Sequence, residues 1–338
     1  MLVLMKMNRQ ILLAKRPVGV PDSSTFNMIE TVIPVPKENE VLIRSHYLSV
    51  DPYMRGRMNN IKSYAKPFQI GEPLTGDSIG EVIVSKHSGF ATGELVIGTF
   101  DWADFSIVKG SELQKIHPTG APITSHLHVT GMTGLTAYFG LLDIGKPLPG
   151  ETVVVSGAAG AVGMVVGQIA KIKECRVVGI AGSDEKGNFL KDELGFDEVI
   201  NYKNGEILQK LRNSCPNGID IYYDNVGGEI SDAAISLLNF HGRVPLCGQI
   251  SALNSENTEK GPRLFTHIIR RSILLKGFIF SDYKEQFEEG RKVLAQWLNE
   301  GKIKYKENIV LGLENAPDAF FGLFRGENLG KQLVKIKE

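Results

Sequence analysis

Short alternating runs dominate the first part of the chain, among them Glu40-Val41-Leu42-Ile43-Arg44-Ser45 and Gly80-Glu81-Val82-Ile83-Val84-Ser85. Apolar and polar positions switch with period two, and Gly and Pro punctuate the runs. That pattern predicts several short strands in a β-rich barrel or sandwich over residues 1–125. From 126 to 302 the period changes. Apolar strand-length runs at Thr152–Ser156, Arg176–Ile180, Glu198–Asn201, Gly218–Tyr223, Gly242–Cys247 and Ser272–Phe280 alternate with amphipathic segments such as Ala161–Lys173 and Asp184–Leu194. Strand and helix in alternation predict a doubly wound parallel sheet. The tail, 303–338, holds a strand at Tyr305–Val310, a short helix at Ala316–Arg325 and a last strand at Lys331–Ile336. The parallel unit already has its six strands, so this tail is expected back on the first domain.

Composition narrows the class. Among 338 residues, 42% are hydrophobic and 22% charged, with Lys+Arg and Asp+Glu both at 38. A full core can be buried, and a net charge of zero gives no reason to expect nucleic acid or an anionic membrane as partner. The apolar run at the N-terminus, Met1 to Met7, is broken by Lys6 and is too short for a signal peptide core or a membrane span. The expectation is a soluble, cytoplasmic protein. Its three cysteines, Cys175, Cys215 and Cys247, are far apart and make no disulfide framework. Seven histidines include His117, His126 and His128, but no cysteine stands near them in the tight spacing that a tetrahedral zinc site wants. No metal is expected.

The segment Val153-Val154-Val155-Ser156-Gly157-Ala158-Ala159-Gly160-Ala161-Val162-Gly163 carries the candidate chemistry. A strand runs into a glycine turn and a helix leaves it. Gly160 lets the backbone approach a pyrophosphate, Gly163 lets the helix pack close on the strand, and the N–H groups from Ala161 and Val162 onward face the phosphate charge. Ala158 replaces the usual first glycine, so the motif is an A-x-G-x-x-G variant of the dinucleotide fingerprint. An NAD-binding chain usually places an acid at the tip of the second strand. Here the tip is Ile180-Ala181-Gly182-Ser183, and Asp184, Glu185 and Lys186 follow. Ser183 suits a helix N-cap. Lys186 then falls in the first helical turn, where the macrodipole disfavours a cation unless an anion is bound there. A 2′-phosphate would supply it; a solvated surface lysine is the alternative, and Asp184 and Glu185 count against the phosphate unless they face solvent. Asp224-Asn225-Val226-Gly227-Gly228 follows another strand at its carboxyl end, where ligands bind in such sheets. Asn225 could bond ribose or phosphate, or the segment could serve the turn alone.

Six motifs in order resemble one family over essentially the whole chain. They are Tyr47 to Met58, Gly131-Met132-Thr133-Gly134-Leu135-Thr136-Ala137-Tyr138, Gly157 to Gly163, Ala181 to Lys186, Asp224 to Gly228, and Glu327-Asn328-Leu329-Gly330-Lys331. The chain resembles the zinc-independent medium-chain dehydrogenase/reductases, in the branch of prostaglandin reductases, alkenal double-bond reductases and the bacterial curcumin reductase. The resemblance implies an α/β protein with a GroES-like β-rich catalytic domain and a Rossmann cofactor domain. It implies NADPH as cofactor, with Lys186 on the 2′-phosphate, Tyr202 on the adenosine side, and Asn225 and Asn328 as cofactor-binding asparagines. Cys247-Gly248-Gln249-Ile250-Ser251 and Phe278-Ile279-Phe280 match the segments that pass beside the nicotinamide. Tyr53 matches a tyrosine of the substrate pocket, and Tyr64 is placed there with it. Two positions depart from the family: Leu253 stands where many members have tyrosine, and Thr133 where the middle motif has proline.

The activity so implied is reduction of the carbon–carbon double bond of α,β-unsaturated aldehydes or ketones. Quinone reduction uses the same fold and cofactor, and a non-catalytic NADPH-binding protein belongs to a third class. Without a metal, a hydroxyl must steady the negative charge on the substrate oxygen. Tyr53 is the protein's candidate, with a packed core aromatic as the alternative and the cofactor's ribose hydroxyl as rival donor. The run Ser272–Phe280 reads as a long apolar edge strand, which invites pairing with a second copy. The resemblance likewise implies a homodimer.

Overall fold

A computed structural model describes residues 7–117, 120–257 and 260–336. The chain divides into two compact units. One runs through Leu127 and takes back Glu307–Asn328 and the chain from Gln332 on; the other holds His128–Lys306 and Leu329–Lys331.

The first unit is β-rich. Strands β1 (Met7–Leu13) and β2 (Phe26–Val32) pair antiparallel. β3 (Glu40–Ser49), a short helix α1 (Tyr53–Arg57), β4 (Thr75–Ser85), β5 (Leu95–Asp101), β6 (Phe105–Lys109) and β7 (Gln114–Lys115) follow. In the second unit come α2 (Met132–Phe139), β8 (Thr152–Val155), α3 (Gly163–Ile172), β9 (Arg176–Ala181), α4 (Asp184–Asp192), β10 (Glu198–Asn201) and α5 (Ile207–Ser214). It continues with β11 (Ile219–Tyr223), α6 (Gly228–Ser236), β12 (Leu238–Leu246), α7 (Phe265–Arg271), β13 (Leu274–Gly277) and α8 (Phe287–Asn299). The tail adds β14 (Glu307–Leu311), α9 (Ala316–Arg325) and β15 (Lys331–Lys335).

β14 and β15 enter the seven-stranded sheet of the first unit, in the order β14-β15-β3-β4-β5-β7, with β6 also paired to β3. Its largest core gathers Leu48, Met54, Trp102 and Phe320, with Phe26 stacked on the Trp102 ring. Apolar residues from distant stretches of sequence close this core, including α9 from the tail.

In the second unit six strands lie in the order β10-β9-β8-β11-β12-β13, with the β10-β9, β9-β8, β8-β11, β11-β12 and β12-β13 pairs all parallel. This is the doubly wound Rossmann arrangement, whose strand order reverses beside the first strand. All four residues of β8 are buried, as expected of a central parallel strand covered on both faces. Val153 and Val155 face α2 and α3 residues such as Leu135, Val165 and Ile169, while Val154 joins Leu211, Ala234 and Leu238 on the other side. The chain is therefore an α/β protein with a GroES-like β-rich domain and a Rossmann domain.

The sixth strand differs from the sequence reading. β13 spans Leu274–Gly277 rather than Ser272–Phe280. Ser272 takes a left-handed conformation (φ 50°), and Phe278 turns inward, edge-on to Tyr223 and Tyr283. Phe280 stacks on Phe287 of α8 with ring centroids 4.1 Å apart. Packing those two rings against the helical layer ends the strand, so the edge is short rather than long. The expected helix from Ala161 begins at Gly163, which leaves Ala161 and Val162 in the turn. Among the described residues no helix is long and apolar enough to cross a membrane.

Candidate cofactor and active site

The turn after β8 is held by close backbone approaches. Gly157 has φ +58°, a conformation that glycine adopts without steric cost. A Cβ on Gly163 would sit 2.4 Å from the Gly157 carbonyl oxygen and 2.7 Å from the Ala158 Cα, so α3 lies against the turn where no side chain fits. A Cβ on Gly160 would come within 3.2 Å of the same carbonyl. Ala158, in place of the fingerprint's first glycine, is accommodated by β9: its methyl lies 3.1 Å from where Gly179 would carry a Cβ. From the tail, Gly330 bridges Gly160, and its N–H donates to the Ala159 carbonyl at 2.8 Å.

At the tip of β9, Ser183 caps α4, its hydroxyl accepting from the Lys186 N–H at 3.3 Å. The Lys186 side chain is half-buried; burial and then the charge of Lys203 push its pKa down, with Glu185 pulling the other way. A Cβ on Gly182 would lie 3.2 Å from the Tyr202 ring, so Ser183, Lys186 and Tyr202 converge here. Asp184, the acid nearest the strand tip, accepts a hydrogen bond from Asn201 Nδ2 at 2.8 Å.

Beyond β11, buried Asp224 acts as a hub. Its Oδ1 accepts from the N–H groups of Val226 and Gly227 (both 3.0 Å), from the Tyr222 hydroxyl (2.9 Å) and from the Ser156 hydroxyl (3.2 Å). Its Oδ2 accepts from Ser231 at 2.5 Å. Asn225 is tied to the end of β8: its N–H donates to Ser156 Oγ (2.9 Å) and its Nδ2 to the Ser156 carbonyl (2.8 Å). The loop after β12 is pinned to the same place. Cys247 and Gly248 donate from their backbone to the Asp224 carbonyl, Ile250 to that of Asn225 and Ser251 to that of Val226. Burial pushes the Cys247 thiol up to about 12, with the Tyr223 hydroxyl as its hydrogen-bond neighbour, so it is a neutral packing group rather than a thiolate. Phe278 lies edge-on to Tyr223, whose hydroxyl donates to the Thr136 carbonyl at 2.8 Å. Ile279 is fixed through its N–H to Asp282 Oδ2 at 3.0 Å. The structure thus gathers Gly157–Gly163, Asn225 and Cys247–Ser251 at the carboxyl ends of β8, β11 and β12, and links Phe278 to Cys247 through Tyr223.

Tyr53 and Tyr64 belong to the first unit. Tyr53 is the first residue of α1, and its half-buried ring packs on the core that contains Met54 and Met58. Burial, then Asp51 and Asp77, push its phenol well above the usual value, with Arg57 opposing; it stays protonated and can donate. Tyr64 is 64% exposed and close enough to act on Tyr53 electrostatically. Asn328 lies in the loop between α9 and Gly330.

Family models match in two places: residues 9–116 fit an N-terminal domain of oxidoreductase, and residues 161–296 fit a zinc-binding dehydrogenase. A solved structure, CurA from Vibrio vulnificus in complex with NADPH, superposes with a TM-score of 0.93 at 47% identity, covering 98% of this chain and 99% of that one. The NADPH-dependent curcumin reductase of Escherichia coli is 44% identical over 97% of both chains. The NADP(+)-dependent 2-alkenal reductase of Nicotiana tabacum is 41% identical, again over 97% of both. The chain belongs to the medium-chain dehydrogenase/reductase family, in the branch of curcumin, prostaglandin and alkenal reductases. Among the described residues no three His, Cys, Asp or Glu side chains gather as a metal-ligand set.

Two residues of the site escape the motif reading. Asp224 stands inside a recognised motif, yet its role as hub shows only in three dimensions; the one local hint is an Asp followed by Val-Gly two and three residues on, whose N–H groups an Asx-type turn would cap. His128 is the other. It is fully buried, and its Nε2 lies 3.0 Å from the Ala161 carbonyl in the cofactor turn. A carbonyl only accepts, so Nε2 carries the proton and Nδ1 is the bare nitrogen, buried without a hydrogen-bond partner among the described residues. Thr133 donates its hydroxyl to the His128 carbonyl at 3.1 Å and so braces the same support.

Burial pushes His128 down to about 3 from the ordinary 6.5, aided by Lys331 and opposed by the bond to Ala161. The folded-state value is the lower one, so between those limits the unfolded chain binds the extra proton. The contribution of neutral His128 is full above pH ~6.5 and is lost as pH falls toward 3, by up to ~1.4 kcal/mol per pH unit. Urea unfolding of the His128→Gln variant across this window should show a flatter decline than the parent protein. Parallel declines in the two proteins would contradict the assignment.

Proposed function

We propose that the chain reduces the carbon–carbon double bond of α,β-unsaturated aldehydes and ketones, with NADPH as reductant. The observation that carries this reading is its likeness, along at least 97% of its length, to a curcumin reductase and a 2-alkenal reductase. The cofactor domain supports the choice of NADPH. Its turn leaves room for a pyrophosphate over Gly160, Ala161, Val162 and Gly163, with Asn225 and Asn328 as further cofactor ligands. Ser183, Lys186 and Tyr202 hold the phosphorylated adenosine end, with Lys186 on the 2′-phosphate, while Asp184 is engaged by Asn201. Cys247, Gly248, Ile250 and Ser251, with Phe278, Ile279 and Phe280, flank the nicotinamide.

When bound, NADPH supplies a hydride to the β-carbon, the electrophilic end of the conjugated system. The double-bond electrons shift onto the carbonyl oxygen, and the α-carbon then takes a proton from water. Tyr53 donates a hydrogen bond to that oxygen, where negative charge develops. Its neutral phenol suits the task, since a phenolate could not donate. Tyr64 lines the substrate pocket with it in this reading.

NADPH absorbance followed with an alkenal, an enone, a quinone and a saturated ketone tests the activity: loss with the first two and none with the saturated ketone is expected. Consumption by the quinone alone would overturn the reading, and tight NADPH binding without turnover would make this a binding protein. Tyr53→Phe should lower kcat on an enone at least several-fold, toward the ~2.7–4 kcal/mol that one lost donor can cost, while NADPH affinity holds. An unchanged kcat under rate-limiting hydride transfer would assign the donor role to the cofactor ribose.

The protein acts as a cytoplasmic homodimer in this reading, and cell fractionation reads the compartment directly. β13 ends the parallel sheet at a short edge with Leu274 exposed, and the family likeness, more than the length of that edge, supports pairing with a second copy there. Light scattering at micromolar concentration should give twice the chain mass; a monomer mass would reject the dimer.

A further inference from the structure

We propose that Lys203 is a second cation on the 2′-phosphate of NADPH, so that Lys186 and Lys203, from two separate loops, clamp that group and set the preference for NADPH over NADH. This rests on the cofactor reading above and adds a residue to it.

Parallel pairing of β9 and β10 puts Asn201 in register with Ala181, so the residues after each strand emerge side by side. Gly182, Ser183 and Lys186 come from one strand end; Tyr202 and Lys203 come from the other. Asn201 fixes the second group. Its Oδ1 accepts from the Lys203 N–H at 3.1 Å, and its Nδ2 donates to Asp184 at 2.8 Å. A Cβ on Gly182 would lie 3.5 Å from Lys203 Cε and 3.3 Å from the Tyr202 hydroxyl, so the lysine stem and the tyrosine both rest over the strand tip.

The charges point the same way. Lys203 is near enough to Lys186 to add to the effect of burial in disfavouring its protonated form, with Glu185 opposing. A phosphate dianion placed between two ammonium groups is held by charge-assisted contacts from both, so a second lysine at this strand tip adds to the grip of the first. Asp184, at the strand tip, is engaged by Asn201. Among the described residues Lys203 forms no ion pair with a carboxylate of its own.

Binding by the purified protein tests this without turnover. The probes are NADPH, NADH, adenosine 2′,5′-bisphosphate and 5′-AMP, measured by calorimetry on Lys203→Gln, Lys203→Arg and Lys186→Gln. Lys203→Gln should weaken NADPH and the bisphosphate about five- to tenfold, leave NADH and 5′-AMP nearly unchanged, and recover most of the loss as Lys203→Arg. Lys186→Gln should weaken the same two probes at least as much. If Lys203→Gln binds NADPH like the parent while Lys186→Gln does not, Lys203 is a surface lysine, and the cofactor reading stands without it. Equal weakening of NADPH and NADH by Lys203→Gln overturns the clamp in favour of a role in the loop's shape. Should Lys186→Gln also keep the full NADPH preference, the 2′-phosphate lies elsewhere and the underlying reading fails.

Discussion

The Rossmann domain is organised around one backbone segment, Gly157–Gly163, that must lie where side chains cannot. A Cβ at Gly163 would collide with the Gly157 carbonyl, and one at Gly330 would sit 1.9 Å from the Lys306 carbonyl. These absences let α3 close on the turn and let the returning chain bond to Ala159. The consequences spread outward. Gly179 yields room to the Ala158 methyl, His128 holds the Ala161 carbonyl, and Ser156 ties Asn225 to the end of β8. The N–H groups of Ala158 and Gly160 are spent on the Ile180 and Gly157 carbonyls, so in the proposed reading the N–H groups from Ala161 onward meet the pyrophosphate, as at other helix starts that bind anions.

Around that turn, polar groups are divided between those that support and those that bind. Asp224 is a supporting group: its oxygens are occupied by backbone N–H groups and buried hydroxyls, so its charge is spent within the fold. Asp184 is likewise occupied, by Asn201. Lys186 and Lys203 are the two cations of this strand tip, and in the proposed reading they are the groups that bind. The same division holds in the first unit, where Asp51 and Asp77 help to keep the Tyr53 phenol protonated without reacting themselves.

Local pattern made much of this legible. The strand, glycine turn and helix stand consecutively in the chain, and the serine cap before Lys186 is a three-residue signal. The parallel strands of the second unit showed in their period, because buried strands are apolar throughout. What stayed hidden depends on strand order. His128 meets Ala161, 33 residues away. Asp224 meets Ser156 only because β11 lies beside β8. Lys203 comes beside Gly182 only through the β9–β10 register. The sixth strand was overextended for the converse reason. Phe278 and Phe280 continue an apolar run, but Phe278 is buried against Tyr223 and the partly buried Phe280 stacks on Phe287, and the strand ends before them.

The central claim is that hydride from NADPH reaches the β-carbon of a conjugated carbonyl. The most direct measurement uses NADPH deuterated at the transferring position with a simple enone, and locates the deuterium in the product by NMR. The account predicts a saturated ketone with one deuterium on the carbon that was β to the carbonyl, and none on the carbonyl carbon. An allylic alcohol labelled at the carbinol carbon would contradict it and make the protein a carbonyl reductase on the same fold.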